Sequence, residues 1–325
     1  MTRSGFWIVA AVILVALMVL GVSWGTVPLS LHAVVAALAG HGDRNAVEIV
    51  RALRLPRVAL AALVGAGLGV SGAALQGSLR NALAEPYLLG VSGGAAVGAV
   101  IGVALGFSSA VALPLFAFAG AAAAIATAIL IARAAGGRAD PRVLLMAGVI
   151  IGAFANAAIM VVLSGAPANT MRSALWWMMG SAAGADWPQV AWLAGYTVLA
   201  GGALLWFARD IDILALGDES ATALGVNAER AGRRVFLVSS LLAAATVAAA
   251  GLVGFVGLVV PHLVRAAGIR RHRPLLLGAA LTGAALVVLA DLVARTAHPP
   301  AELPLGAVTA LVGVPFFLVQ LRRFS

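Results

Sequence analysis

Between Ala215 and Arg230 the chain reads A-L-G-D-E-S-A-T-A-L-G-V-N-A-E-R, a polar, helix-compatible insert flanked on both sides by apolar runs. Asp218, Glu219, Glu229 and Arg230 carry its charge, and Arg233 and Arg234 open the run that follows. In a chain that is 62% hydrophobic, an insert this long is expected to be read by something outside the membrane. A second set of charged groups stands far from it, with Arg54 and Arg57 in R-L-P-R and Arg295 one turn after Asp291. Asp291 and Arg295 form a natural i,i+4 pair. Guanidinium forks of this kind have two uses, gripping phospholipid headgroups or pairing bidentately with a partner's carboxylates. Metal chemistry is not indicated, because His32, His41, His262, His272 and His298 lack ligand spacing and the chain has no Cys. All 21 basic residues are Arg. A P-loop needs a Lys to reach the nucleotide phosphates, so any ATP this protein uses is hydrolysed on another chain.

These groups must be positioned by elements that live in lipid. Only 10% of the 325 residues are charged and the mean hydropathy is +1.06, whereas a soluble surface takes roughly 25–35% charged residues. The net charge of +9 does not point to nucleic acid, since the arginines punctuate apolar runs. The first run, Phe6 to Trp24, exceeds the roughly 7–15 residues of a signal-peptide core. It reads as an uncleaved helix with Trp7 and Trp24 at the two interfaces. At about 20 residues per crossing, spans fall near 6–24, 57–79, 88–106, 113–133, 143–163, 190–208, 235–250, 252–268, 274–294 and 304–321.

The stretch 235–268 is too long for one helix and tight for two, with Gly251, Gly254 and Gly257 as places for a break. Charge decides, because Arg accumulates on the cytoplasmic side. With two spans there and the N-terminus inside, 15 of the 21 Arg are cytoplasmic and 6 external; with one span the split is 10 to 11. Ten spans with both termini cytoplasmic follow, and the polar insert lies in the cytoplasm. Five spans per half suit an inverted repeat, with halves at 57–165 and 233–322. Pro86-Tyr87-Leu88 in the first half is echoed by Pro261-His262-Leu263 in the second.

Gly148, Gly152, Asn156, Met160 and Ser164 recur every four residues and share one side of the fifth span. A mid-membrane Asn needs a partner or water, so this face either bonds to a neighbouring helix or lines a translocation path. Residues 170–181, T-M-R-S-A-L-W-W-M-M-G-S, suit an interfacial or re-entrant helix that anchors at the headgroups or closes a pathway's outer mouth. Gly65, Gly67, Gly69 and Gly72, and Gly90, Gly93, Gly94 and Gly98, are the small residues that let helices approach closely in lipid.

Five ordered motifs make the chain resemble a FecCD-type permease, the membrane subunit of ATP-binding-cassette importers for iron chelates, haem and cobalamin. They are R-L-P-R at 54–57, N-A-L-A-E-P-Y-L-L-G-V-S-G-G-A at 81–95, L-G-D-E-S-A-T-A-L-G-V at 216–226, G-F-V-G-L-V-V-P-H-L-V-R at 254–265, and A-D-L-V-A-R at 290–295 followed by A-E-L-P-L-G-A-V-T-A-L-V-G-V-P-F-F at 301–317. Ala82 departs from the family's usual Pro before L-A-E-P. The resemblance implies an all-α polytopic membrane protein with the type II importer fold, a single permease domain over residues 1–325 in a bacterial inner membrane. It also implies a homodimer with the path at its interface, two cytoplasmic ATPase subunits that carry ATP and Mg, and a periplasmic substrate-binding protein. This chain itself would bind no cofactor. Within a cytoplasmic segment 209–234, Leu216, Gly217, Asp218, Glu219, Leu224 and Gly225 match the helices that seat in the ATPase. Arg54, Arg57 and Arg295 match the external arginines that receive the binding protein's acids. Gly152, Asn156, Met160 and Ser164 stay a path inferred from spacing alone. For cargo, haem is placed first, a ferric siderophore second and cobalamin third, since Met and Trp near the outer mouth suit a planar, partly apolar ligand. Two other classes compete: an ion-coupled secondary transporter, which would need buried acids beyond Asp291, and a structural subunit, which leaves the external arginines without a role.

Overall fold

The computed structural model describes residues 3–321 apart from 26, 28, 108, 110 and 135–140. Arg138, Arg322 and Arg323 of the charge count lie outside the described residues. Every regular element among these residues is a helix: α1 (Arg3–Ser23), α2 (Leu31–Leu38), α3 (Arg44–Glu48), α4 (Leu55–Ser78), α5 (Val91–Ala104), α6 (Ala112–Ala134), α7 (Pro141–Ser164), α8 (Ala168–Met178), α9 (Trp187–Trp206), α10 (Ala208–Leu214), α11 (Asp218–Ala223), α12 (Ala228–Ala250), α13 (Val256–Ala266), α14 (His272–Thr296) and α15 (Leu305–Leu321).

Seven of these segments are long and apolar enough to cross a membrane, and α5, α13 and α15 are shorter apolar helices. Each of the ten expected spans therefore has a helix, but not ten full-length ones. The 235–268 stretch is indeed two helices. The second is an 11-residue helix, Val256–Ala266, and reaches only about 16 Å at 1.5 Å per residue. Its shortfall has a local cause. Gly251 (φ 70°) turns the chain after α12, and helix resumes only after Phe255 (φ 67°). The span expected at 88–106 is likewise trimmed, to Val91–Ala104, by a 3-10 turn over Pro86–Leu89 and a left-handed Gly90.

The second span is longer than expected, because helix runs without interruption from Arg44 to Ser78. Pro56 reads as a helix start in sequence, since it lacks an N–H and crowds the carbonyl four residues back. A π-helical stretch over Ile49–Arg54 resolves the conflict, with Leu55 bonding back to Val50 rather than to the usual carbonyl. One wider turn carries the helix past the proline.

Helices α4, α12 and α14 form the centre, with 78%, 72% and 56% of their most apolar windows buried against 17% for α1 and α9. Their glycines make this possible. A Cβ on Gly65 would fall 2.0 Å from the Gly283 carbonyl oxygen, one on Gly283 2.2 Å from that of Gly65, and one on Gly72 2.0 Å from that of Gly257. Gly94 and Gly120 seat α5 against α6 in the same way. Where lipid gives no hydrophobic drive, such backbone approach supplies the packing. Gly65→Ala is expected to lower thermal stability, by about 1–3 kcal/mol for an overpacked contact. Gly195→Ala, where a Cβ meets nothing within 4 Å, should leave it unchanged in the same melting experiment on detergent-solubilised protein.

Candidate functional site

Charged side chains gather at two poles at opposite ends of α4 and α14. At the first, Arg57 is fully engaged. Its Nε donates to Asp291 Oδ1 and Oδ2 at 3.0 and 3.1 Å and its Nη2 to Oδ1 at 2.9 Å; Nη1 and Nη2 reach Glu302 Oε1 and Oε2 at 2.7 and 2.9 Å. Arg295 stands 3.4 Å from Asp291 in the expected i,i+4 arrangement and donates through Nη2 to the Gly21 carbonyl at 2.6 Å. Arg54 donates through Nη1 to the carbonyls of Val22 and Ser23 at 2.9 and 2.8 Å, and through Nη2 to that of Val27.

The reason for this arrangement is the end of α1. The last carbonyls of a helix have no partner within it, and cations there also meet the negative end of its dipole. Arg54 and Arg295 serve that end from positions distant in sequence. All three arginines expected to receive a partner's acids are engaged within the chain itself. Arg54 and Arg295 are 6% and 5% exposed, and their charges are directed into the chain itself. Only Arg57 keeps an exposed edge, and its outer partner, Glu302, has a side chain 35% exposed.

At the second pole lies the polar insert. α10 leads into it and is joined through Gly217 (φ 108°) to α11 within it, with Gly225 (φ 77°) closing the turn after α11. Ala221 anchors α11 inward, whereas Asp218 and Glu219 in its first turn are exposed. Leu216 and Leu224, 65% and 56% exposed, stand on either side of α11. Two ties hold the insert. Arg80, just past α4, meets Asp218 at 3.1 Å in an exposed pair. Asp212 of α10 accepts from the His272 backbone N–H at 2.9 Å and contacts His272 Nδ1 at 2.7 Å.

The inferred path residues lie on α7. Asn156, Met160 and Ser164 are exposed and Gly152 is half-buried, with nothing within 4 Å of a Cβ built there. That face is uncovered by the rest of the chain. The helix expected over 170–181, interfacial or re-entrant, is α8 (Ala168–Met178), which packs Ala174 inward and leaves Trp176 exposed.

Sequence reasoning passed over Glu85 and Tyr87. Glu85 Oε1 accepts from the Phe255 N–H and the Tyr87 hydroxyl from the Val253 N–H, both at 2.6 Å, so these two serve the break between α12 and α13. Gln76 does the same inside α13, donating to the Gly257 carbonyl at 3.2 Å. Pro261, four residues on, lacks the N–H that would have met that carbonyl. The available signal was a Glu in an otherwise apolar stretch beside a Pro, within a motif already marked.

A bundle of long apolar helices with an uncovered face, an internally paired pole and an exposed polar insert at the other end defines a multi-pass membrane permease. The chain belongs to the FecCD transport family, whose model matches residues 13–323. It is 44% identical over 277 residues to the cobalamin import system permease protein BtuC of Halobacterium salinarum, covering 84% of this chain and 73% of that one. It is 43% identical over 277 residues to the hemin transport system permease protein HmuU of Yersinia pestis, covering 83% and 82%. Among solved structures it matches the inward-facing form of an ABC transporter assigned to the metal-chelate type, with a TM-score of 0.87, 30% identity and 97% of both chains covered. The protein is therefore a permease subunit of an ABC importer, a transport component whose ATP is hydrolysed on separate subunits.

Glu302, in the loop before α15, is held below the ordinary carboxylate value of 4.5, chiefly by its hydrogen bond from Arg57. The stability this adds is complete above pH 4.5 and is lost as pH falls through the lower folded value. The melting-temperature difference between the protein and Glu302→Gln is expected to be constant between about pH 5.5 and 7.5 and to shrink below about pH 4.5. A difference that grows on acidification would contradict the pairing.

Proposed function

We propose that this chain is the permease half of a homodimeric importer that carries a haem or ferric-siderophore chelate from periplasm to cytoplasm. Two cytoplasmic ATPase subunits drive it and a periplasmic binding protein supplies it. The observation that carries the energetic part is the exposed insert around α11. Leu216 and Leu224 are exposed apolar knobs with Asp218 and Glu219 between them. An apolar contact ringed by charge is the anatomy of a protein interface, and Gly217 and Gly225 set its shape. In this reading ten segments enter the membrane from a cytoplasmic N-terminus and return the C-terminus to the same side. Its halves, 57–165 and 233–322, are inverted repeats.

The pole around Arg57 is proposed to receive the binding protein. Arg54 and Arg295 hold the pole in shape, and the carboxylate that Arg57 offers to exchange is that of Glu302. The open face of α7, with Gly152, Asn156, Met160 and Ser164, is proposed to line the path against the second copy. A polar amide facing lipid would be costly. Cobalamin, third after haem and a ferric siderophore, is the alternative cargo, supported by the 44% identity to a cobalamin permease; the hemin permease at 43%, with a larger share of its own length covered, supports haem.

Charge reversal of Asp218 and Glu219 to Lys together is expected to reduce the ATPase that co-purifies with the permease by about tenfold or more, as like charges meet at the contact. Wild-type recovery of the ATPase would refute the coupling role. Because the chain has no Cys, Asn156→Cys supplies a single thiol. It should react with a water-soluble maleimide in at least one nucleotide state, and silence in every state returns Asn156 to helix packing.

A further inference from the structure

The two ties on the polar insert differ in kind. The Arg80–Asp218 pair has side chains 37% and 67% exposed, so water and salt screen it and it transmits little. The Asp212–His272 contact is different. The His272 side chain is 7% exposed against 39% for Asp212, so one partner is out of solvent, and one carboxylate oxygen meets both the His272 ring Nδ1 and its backbone N–H. His272 is the first residue of α14, and the residue before it, Arg271, supplies no side-chain cap. Asp212 thus caps α14 from another element, with its negative charge at the helix's positive end.

The seat is closed on the other side as well. A Cβ on Gly77 of α4 would fall 2.1 Å from His272 Nε2 and 2.5 Å from Ile211 Cγ2. Ile211 itself is fully buried. The imidazole is held between α10 and the end of α4 in a slot only glycine leaves open. From there α14 runs 25 residues, about 37 Å, along α4 through the Gly65–Gly283 and Gly69–Ala279 contacts. It ends in Asp291 and Arg295, which hold Arg57 and the end of α1.

We propose that Asp212 and His272 are the positioning pair through which the ATPase-facing insert moves α14, and so the distant Arg57 pole. The proposal rests on the coupling role given to the insert under Proposed function. The Arg80–Asp218 pair, exposed on both sides, is dispensable for this transmission; the doubly bonded Asp212–His272 contact is not.

The test uses the permease with its ATPase subunits and an Ala297→Cys variant carrying a bimane fluorophore just beyond α14, so that no cargo is needed. In the otherwise unaltered complex, bimane emission is expected to shift between the nucleotide-free state and the state trapped with ATP and vanadate. Asp212→Ala and His272→Ala should each abolish the shift. Co-purified ATPase and basal hydrolysis should stay within about twofold, and the double variant should be no worse than either single one, as for two members of one contact. Asp212→Asn, whose amide oxygen still accepts both bonds, should restore the shift, and Arg80→Ala should retain it. A shift that persists in Asp212→Ala overturns the positioning pair and leaves the coupling reading standing. Loss of co-purified ATPase in Asp212→Ala that Asp212→Asn does not rescue also overturns it, in favour of a merely structural role. No shift in the unaltered complex overturns the coupling reading, and the pair with it.

Discussion

A bilayer offers no water to the ends of helices, so every terminal carbonyl or amide within it must find a partner in the protein. Much of this structure follows from that constraint. Arg54 and Arg295 meet the carbonyls at the end of α1. Glu85 and Tyr87 meet the amides in the break before α13. Gln189 and the Ser181 amide meet the last carbonyls of α12. Outside the apolar spans, Asp212 likewise meets the first amide of α14. In each case the partner comes from another part of the chain, so satisfying a helix end also fixes one element against another.

This explains why so few polar residues shape so large an apolar bundle. The central helices pack by close backbone contact through glycine, which sets distance but little direction. The polar contacts set direction. Because they lie at helix ends and breaks, they mark the places where a rearrangement would have to exchange one partner for another. An importer must alternate between two openings, and a bundle held by a small number of specific contacts can have two discrete arrangements. At the two poles, the Arg57–Glu302 pair, the Arg80–Asp218 pair and the Asp212 side of the His272 contact are open to solvent.

The positions of the helices were largely legible in the sequence, because long apolar runs leave few alternatives in lipid. The two-helix reading of 235–268 came from arginine counting, and Gly251 proved to be the turn. The length of α13 was not legible. Apolar content continues through Leu252 and Val253, and the contacts of Glu85 and Tyr87 with the amides beyond Gly251 join with the turns at Gly251 and Phe255 to keep that segment out of a helix. The start of the second span was hidden for the opposite reason, since Pro56 imitates a helix start and the π-helical turn that accommodates it has no sequence signature. At the site, Arg54, Arg57 and Arg295 stood out as external charges, but their partners, Asp291 beside Arg295 apart, did not. The carbonyls of Val22 and Ser23 lie some thirty residues upstream, and a carbonyl carries no residue type. Asp212 lay inside the marked 209–234 segment, yet its partner His272 belongs to a different helix, and only folding joins them.

What the sequence, the fold and the family membership jointly claim is that this permease does no work of its own and takes its energy from a separate ATPase. The most direct measurement is uptake into proteoliposomes containing the permease and its ATPase subunits, with binding protein and haem, ferric siderophore or cobalamin supplied in turn. The account predicts accumulation of one of these chelates only when ATP and the ATPase are both present, and none driven by a proton or sodium gradient. Accumulation by the permease alone under an ion gradient would contradict it.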